Sequence, residues 1–230
     1  EKPQTSEAYI KRWGADIVRL WVSSQDYRSD IVVSEERIKK VAESYRAIRN
    51  TLRYQLSNLF DFDPEKNAVP ADQLHGLDQW ILGRFGKLQI AVDGAYKAYE
   101  FHVVYQRITR FVEVELSAVY HDTIKDRMYC DGAGSARRRS SQTVLHQMVI
   151  GLCEMLSPIL AYTADEAWEQ IPGRPADSVH LADWNPVAHP ENAEWEQLLR
   201  LREQVLPELE KARKAKQIGK LQPTYQGATD

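Results

Sequence analysis

Apolar residues recur in this chain at alternating steps of three and four over four long stretches, and that spacing makes helices packed on one another the main way to bury them. From Ser34 to Phe60 the stripe is Val41, Tyr45, Ile48, Leu52, Leu56 and Leu59. Ser34 is placed to cap this helix, and Glu35 and Glu36 add negative charge to its first turn, where the helix dipole favours it. A polar loop from Phe62 through Pro70 ends it. The second stripe is Leu77, Ile81, Phe85, Leu88, Val92, Tyr96 and Tyr99; the third is Val104, Ile108, Phe111, Val112, Leu116 and Val119, and reads as one helix reaching about Tyr129. Asp131-Gly-Ala-Gly134 is the strongest turn signal in the chain. The fourth helix follows, with Leu145, Met148, Val149, Leu152 and Leu156 on one face. Long helices joined by short loops predict an all-α, antiparallel helix bundle with short flanking helices.

The flanks are read from local signals. Thr163-x-x-Glu166 has the spacing of a capping box and predicts a short helix stopped by Pro172-Gly173. Ile31-Val32-Val33 and Val179-His180-Leu181 are short, isolated strand signals. After Pro190, Trp195, Leu198, Leu199, Arg202, Val205 and Leu209 restart a helical pattern to about Gln217, with Pro207 expected to kink or split it. The organisation expected is a connector over 1–33 that includes a short helix Asp16–Val22, a bundle over 34–172, an irregular linker with a short strand over 173–190, and a C-terminal helical extension over 191–230.

Composition narrows the chemistry. Thirty Lys and Arg stand against 33 Asp and Glu, a net charge of −3, so bulk charge points to no polyanion partner and any nucleic-acid contact must rest on local patches. Cys130 and Cys153 are too few for a disulfide framework and not in metal spacing, which favours a reduced, cytoplasmic setting. No apolar run approaches the ~18 residues of a membrane span, and the first residues do not read as a signal peptide. There is no G-x-S-x-G, no glycine-rich phosphate loop, no H-E-x-x-H and no CxxC. His121-Asp122 adjoin along a helix, where neighbours do not face each other, so they predict no dyad. No catalytic residue and no metal ligand is expected in this chain.

Charge is concentrated on the first long helix. Between Arg37 and Arg53 six bases stand against one acid, Glu43. Lys39, Arg46, Asn50 and Arg53 fall on one face, turned away from the apolar stripe. Arginine forks match phosphate oxygens and an asparagine amide can bond a base edge, so Arg46, Arg49, Asn50 and Arg53 are candidate RNA contacts. The alternatives are a solvated face, or arginines paired with acids of neighbouring helices. Arg137, Arg138 and Arg139 form a second basic run. A third lies in Lys211 to Lys220, where Lys214, Lys216 and Lys220 are candidates even though bases near a helix C-terminus are also favoured by its dipole. Six tryptophans and eleven tyrosines supply possible stacking platforms, but most, Trp80 and Trp168 among them, sit at core spacings.

Several of these stretches together resemble one family. Gly14-Ala-Asp-Ile-Val-Arg-Leu-Trp21, with Ser24, Asp26-Tyr27 and Asp30, resembles the segment after the catalytic half of class I aminoacyl-tRNA synthetases. Ser44-Tyr-Arg-Ala-Ile-Arg-Asn-Thr-Leu-Arg-Tyr54, with Asn58-Leu59-Phe60, is similar to the first long helix of their anticodon-binding domain. Glu115-Leu-Ser-Ala-Val-Tyr-His-Asp122 and Lys125-Asp-Arg-Met-Tyr129 are similar to the isoleucyl branch of bacterial type. Pro158-Ile-Leu-Ala-Tyr-Thr-Ala-Asp-Glu-Ala-Trp168 and Ser178-Val-His-Leu181 with Trp184 are shared with the valyl and leucyl branches. The resemblance implies a tRNA anticodon-stem-loop binding module, with isoleucine tRNA as partner, covalently continuous with catalytic and editing domains in a monomeric enzyme. ATP and zinc are implied for that enzyme outside this chain. The family's HIGH and KMSKS motifs are absent here, so the chain is not expected to catalyse alone. A valyl or leucyl module and a helical protein–protein interaction bundle are the alternatives.

Overall fold

The computed structural model describes residues 5–31, 33–217 and 219. Every regular element among the described residues is helical. In chain order they are α1 (Ser6–Trp13), α2 (Ala15–Ser23), α3 (Glu35–Ser57), a short α4 (Pro64–Asn67), α5 (Gly76–Lys97), α6 (Phe101–Arg110), a π-helical segment (Phe111–Tyr120), α7 (His121–Tyr129), α8 (Ala136–Leu156), α9 (Ala161–Trp168) and α10 (Ala193–Lys214). Two compact units hold them, 1–191 and 192–230.

Helix α8 is buried on nearly every side, against α3, α5, α7 and α9. It tolerates this because its first turns carry Ser140, Ser141, Gln142 and Thr143, small or amide side chains that find partners inside. The principal partner is Asp78, which has no exposed surface. Its carboxylate accepts from Tyr120 Oη (2.6 Å), Ser140 Oγ (2.7 Å), Ser141 Oγ (3.0 Å) and Arg127 Nη1 (3.2 Å).

The third apolar stripe forms α6, the π segment and α7 rather than a uniform α-helix. Phe111, Val112, Leu116 and Tyr120 of the π segment are buried, and its end is marked by an i→i+5 hydrogen bond from His121 N to the Leu116 carbonyl.

The N-terminal segment is bound into the bundle. Asp16, buried on α2, accepts from Thr163 N (2.7 Å) and Thr163 Oγ1 (2.6 Å), and from Tyr162 N at 3.4 Å. A carboxylate 146 residues away thus caps α9, whose own N-cap, Leu160, has no side chain for the task. The expected capping box is therefore not formed: Thr163 lies inside the helix, and Glu166 turns to Arg49. Arg19 adds hydrogen bonds to the carbonyls of Ile159 (2.8 Å) and Pro158 (2.7 Å).

The strand expected at Val179–Leu181 is a 3₁₀ turn. The Ser178 hydroxyl accepts from His180 N, and Asp165 accepts from Ser178 Oγ and Val179 N, so local partners take the groups a sheet would use. Ile31 and Val33 are irregular, and Val32 lies outside the described residues. Residues 187–190 run across α5, where a Cβ on Gly83 would stand 2.7 Å from the Pro190 carbonyl oxygen and one on Gly86 2.8 Å from that of Val187. Glycine is required there for the backbone to approach.

In the second unit α10 continues through Pro207 as one helix, neither split nor ended by it. Asn192 caps it, accepting from Trp195 N at 3.1 Å.

Replacing Asp78 by Ala strands the Arg127 guanidinium beside three hydroxyls, and the expected loss is about 3–5 kcal/mol. Urea unfolding measures it, and a loss below about 1 kcal/mol would show that the network carries no stability. A second test uses His121, buried against the Tyr54 ring at 4.3 Å between centroids, its Nε2 without a partner among the described residues. Burial, with a smaller contribution from Lys125, pushes its imidazole down to about 3. The unfolded chain takes this proton below about 6.5. Stability is therefore lost as pH falls from there toward 3, by about 1.4 kcal/mol per pH unit. His121→Phe is expected to remove this acid-side slope, and identical slopes in both proteins would show that the folded imidazole is freely protonated.

Candidate nucleic-acid interface

Ser34 caps α3 through Arg37 N (3.3 Å), and Ile38, Val41, Ile48 and Leu52 turn inward. The opposite side carries Lys39, Arg46, Asn50 and Arg53, all exposed. Arg46, Asn50 and Arg53 make no side-chain hydrogen bond or ion pair with any described residue. Arg49 is different. Its Nη1 and Nη2 donate to Glu166 of α9 at 2.7 and 2.8 Å. That hydrogen-bonded pair lifts the Arg49 guanidinium above its ordinary range and holds the Glu166 carboxyl below its own. One of the three guanidinium groups expected to stand free on this helix is thus capped by a neighbouring helix.

The run Arg137–Arg139 does not form a basic surface. The exposed Arg137 pairs with the half-buried Asp131 (2.8 Å) and, with Ser135, holds the Asp131 carboxyl below its usual range. Arg138 is buried: Nη2 donates to Asp61 Oδ1 (3.0 Å) and Nη1 to the Asp131 carbonyl. Arg139 Nη1 donates to the Asp61 carbonyl (2.9 Å) and to Gln142 Oε1 (2.7 Å), while Gln142 Nε2 reaches Asn58 O and Asp61 Oδ1. Arg138 and Arg139 serve to bind the turn after α3 to the first turns of α8. An acid 77 residues upstream decided this, and nothing local in the arginine run reveals it.

That turn presents Phe60, a residue 81% exposed whose ring centroid lies 5.7 Å from the Arg138 guanidinium. Local periodicity offered no reason to single Phe60 out, since an aromatic near a helix end normally folds back into the core. Its exposure follows from Leu59 and Phe62 taking the inward positions of the turn. Beside Phe60 a groove of about 660 Å³ opens between α3 and α9. Leu56 and Ala167 line it, with Arg53, Ser57 and Gln170 supplying polar groups and the Arg49–Glu166 pair forming part of the wall. Arg53 and Phe60 thus meet at one opening, with an apolar lining and hydrogen-bonding groups of both kinds.

In the second unit Lys214 closes α10 and Lys216 follows it with φ of 57°, both exposed, whereas Lys211 and Arg213 pair with Glu208 and Glu210. Lys220 lies outside the described residues. Trp80 and Trp168 are core residues. His121 is buried against Tyr54, and Asp122 pairs with Lys125 on the surface, so they form no dyad. Among the described residues no three His, Cys, Asp or Glu side chains stand together as a metal site, so none fits the zinc implied for a longer enzyme. No described helix is long and apolar enough to cross a membrane. What the arrangement offers is guanidinium, amide and aromatic groups for binding.

Comparison with known proteins agrees with this inventory. Residues 78–226 match the family model described as the anticodon-binding domain of tRNA ligase. An isoleucine–tRNA ligase of Desulfitobacterium hafniense is 46% identical over 214 residues, which cover 90% of this chain and 23% of that protein. One from Symbiobacterium thermophilum is 46% identical over 220 residues, 93% of this chain and 24% of the relative. One from Geobacillus kaustophilus is 44% identical over 218 residues, 92% and 24% respectively. The chain spans about a quarter of the length of these curated relatives. With a helical bundle, a free basic edge on its first long helix and a match over most of its length, the chain belongs to the anticodon-binding domain family of tRNA ligases.

Proposed function

We propose that this chain is the part of an isoleucine–tRNA ligase that grips the anticodon stem-loop of isoleucine tRNA, and that its local work is binding and positioning. The observation that carries the reading is the unpartnered edge of α3, where Arg46, Asn50 and Arg53 run toward the groove that Phe60 borders. Guanidinium forks fit phosphate oxygens, and a single-stranded loop exposes unstacked bases to amide groups and aromatic faces. The Arg138 guanidinium lies 5.7 Å from the Phe60 ring centroid and the residue is otherwise open, which suits a base stacked on an aromatic ring beside a guanidinium. The choice of isoleucine follows the relatives named above. ATP-dependent activation and the transfer to tRNA, together with zinc, are assigned to the remainder of a longer, monomeric, cytoplasmic enzyme. Holding the anticodon end fixes where the distant acceptor end lies, which is how binding here contributes to reaction elsewhere. Lys214, Lys216 and Lys220 are carried as supporting backbone contacts.

Replacing Arg46 and Arg53 together by Ala is expected to weaken tRNA binding and to flatten the plot of log Kobs against log salt by about 0.7–0.9 for each phosphate no longer neutralised. A folded variant with an unaltered slope would remove this edge from the RNA surface. Phe60→Ala is expected to weaken binding about 5- to 150-fold with the salt slope retained, because base–aromatic stacking is worth about 1–3 kcal/mol and releases no counterions. Binding equal to that of the unaltered chain would show that no base rests on this ring.

A further inference from the structure

A second basic concavity lies between α5 and α6, away from α3. It encloses about 250 Å³ and is lined by Arg84, Lys87, Arg107 and Arg110. Leu88 and Phe111 supply apolar wall, and Glu115 is the acid in the lining. The two cations from α5 are already held: Arg84 donates to Glu115 from Nη2 (2.7 Å) and Nε (3.2 Å), and Lys87 Nζ lies 2.7 Å from Glu191. Those from α6 are not. Arg107 and Arg110 are exposed and form no hydrogen bond or ion pair with any described residue. Three residues apart on a helix, they are neighbours whose like charges repel unless an anion stands between or beside them.

The π segment explains the geometry. It begins at Phe111, directly after Arg110, and its i→i+5 pattern brings Glu115 round to the side Arg110 occupies. Glu115, its side chain only 14% exposed, can then fix Arg84 at the pocket without reaching either α6 arginine. The result is four cations against two carboxylates, both already engaged, around a small bowl with low-dielectric wall. Such a bowl concentrates the field, and guanidinium forks there match an oxyanion with several oxygens.

We infer that this bowl is a phosphate site and forms a second contact for the sugar–phosphate backbone of tRNA, built from residues none of which belong to α3. The inference rests on the reading that the chain binds tRNA. It implies that the bound RNA extends beyond the anticodon loop along the bundle, onto a helical stretch whose phosphates α6 meets.

The test is the double variant Arg107→Ala/Arg110→Ala, made in the full chain alone and combined with Arg46→Ala/Arg53→Ala. Thermal unfolding checks that each variant is folded. The α6 pair is expected to reduce the salt slope of tRNA binding by about 0.7–0.9 for every phosphate that these arginines neutralise. In the combined variant the two reductions are expected to add, as they do for separate sites. Arg107→Lys/Arg110→Lys is expected to keep the slope. A slope unchanged by the α6 substitutions, while the α3 substitutions still lower it, overturns this site and leaves the α3 reading standing. An unaltered chain that binds no tRNA overturns both. Titration with inorganic phosphate at constant ionic strength separates the two sources of the anion. Phosphate binding that disappears with the α6 arginines while the tRNA slope is kept would assign the bowl to a free anion and overturn the backbone contact.

Discussion

The Asp78 carboxylate, enclosed by the bundle, receives four side-chain donors from three other elements: Tyr120 of the π segment, Arg127 of α7, and Ser140 and Ser141 of α8. A buried charge of this kind is costly unless every lone pair is satisfied, and satisfying it admits one register of α8 against α5 and the π segment. That register places the first turn of α8 where Arg138 and Arg139 meet Asp61, and their contacts hold the turn that carries Phe60. A chain of polar contacts thus runs from the inside of the fold to the exposed ring at its surface.

The basic residues divide by what stands opposite them. Arg49 meets Glu166, Arg137 meets Asp131, and Arg138 and Arg139 meet Asp61. Exposed pairs such as Arg49–Glu166 add little stability. Their larger consequence is local, since each sets a carboxylate beside a guanidinium and lowers the positive field there. Arg46, Arg53, Arg107 and Arg110 are left without acids among the described residues. A chain of net charge −3 can still present local positive edges, because its bases are clustered on particular helix faces rather than spread evenly.

Much of the architecture was readable in advance. The stripes on α3, α5 and α8 predicted those helices to within a few residues, because burial of an apolar face repeats with the turn of the helix itself. Departures occurred where polar contacts or a change of helix type overrode the local pattern. Asp16 caps α9 in place of a local box, a π segment interrupts the third stripe after Arg110, and local hydrogen bonds leave Val179–Leu181 in a 3₁₀ turn. At the candidate site, Arg46, Asn50 and Arg53 were legible from angular position alone. Phe60 and the α5–α6 bowl were not, since one depends on a turn held by α8 and the other on two helices brought side by side.

By itself, then, the sequence determined which segments coil, which of their faces seek the interior, and that the first long helix carries an excess of bases. These follow from periodicity and local charge, which act over a turn or two of chain. Only the tertiary structure decided which of those bases meet a carboxylate. Neutralisation needs a carboxylate within about 4 Å, and here the carboxylate that captures Arg49 comes from 117 residues away and the one that captures Arg138 from 77.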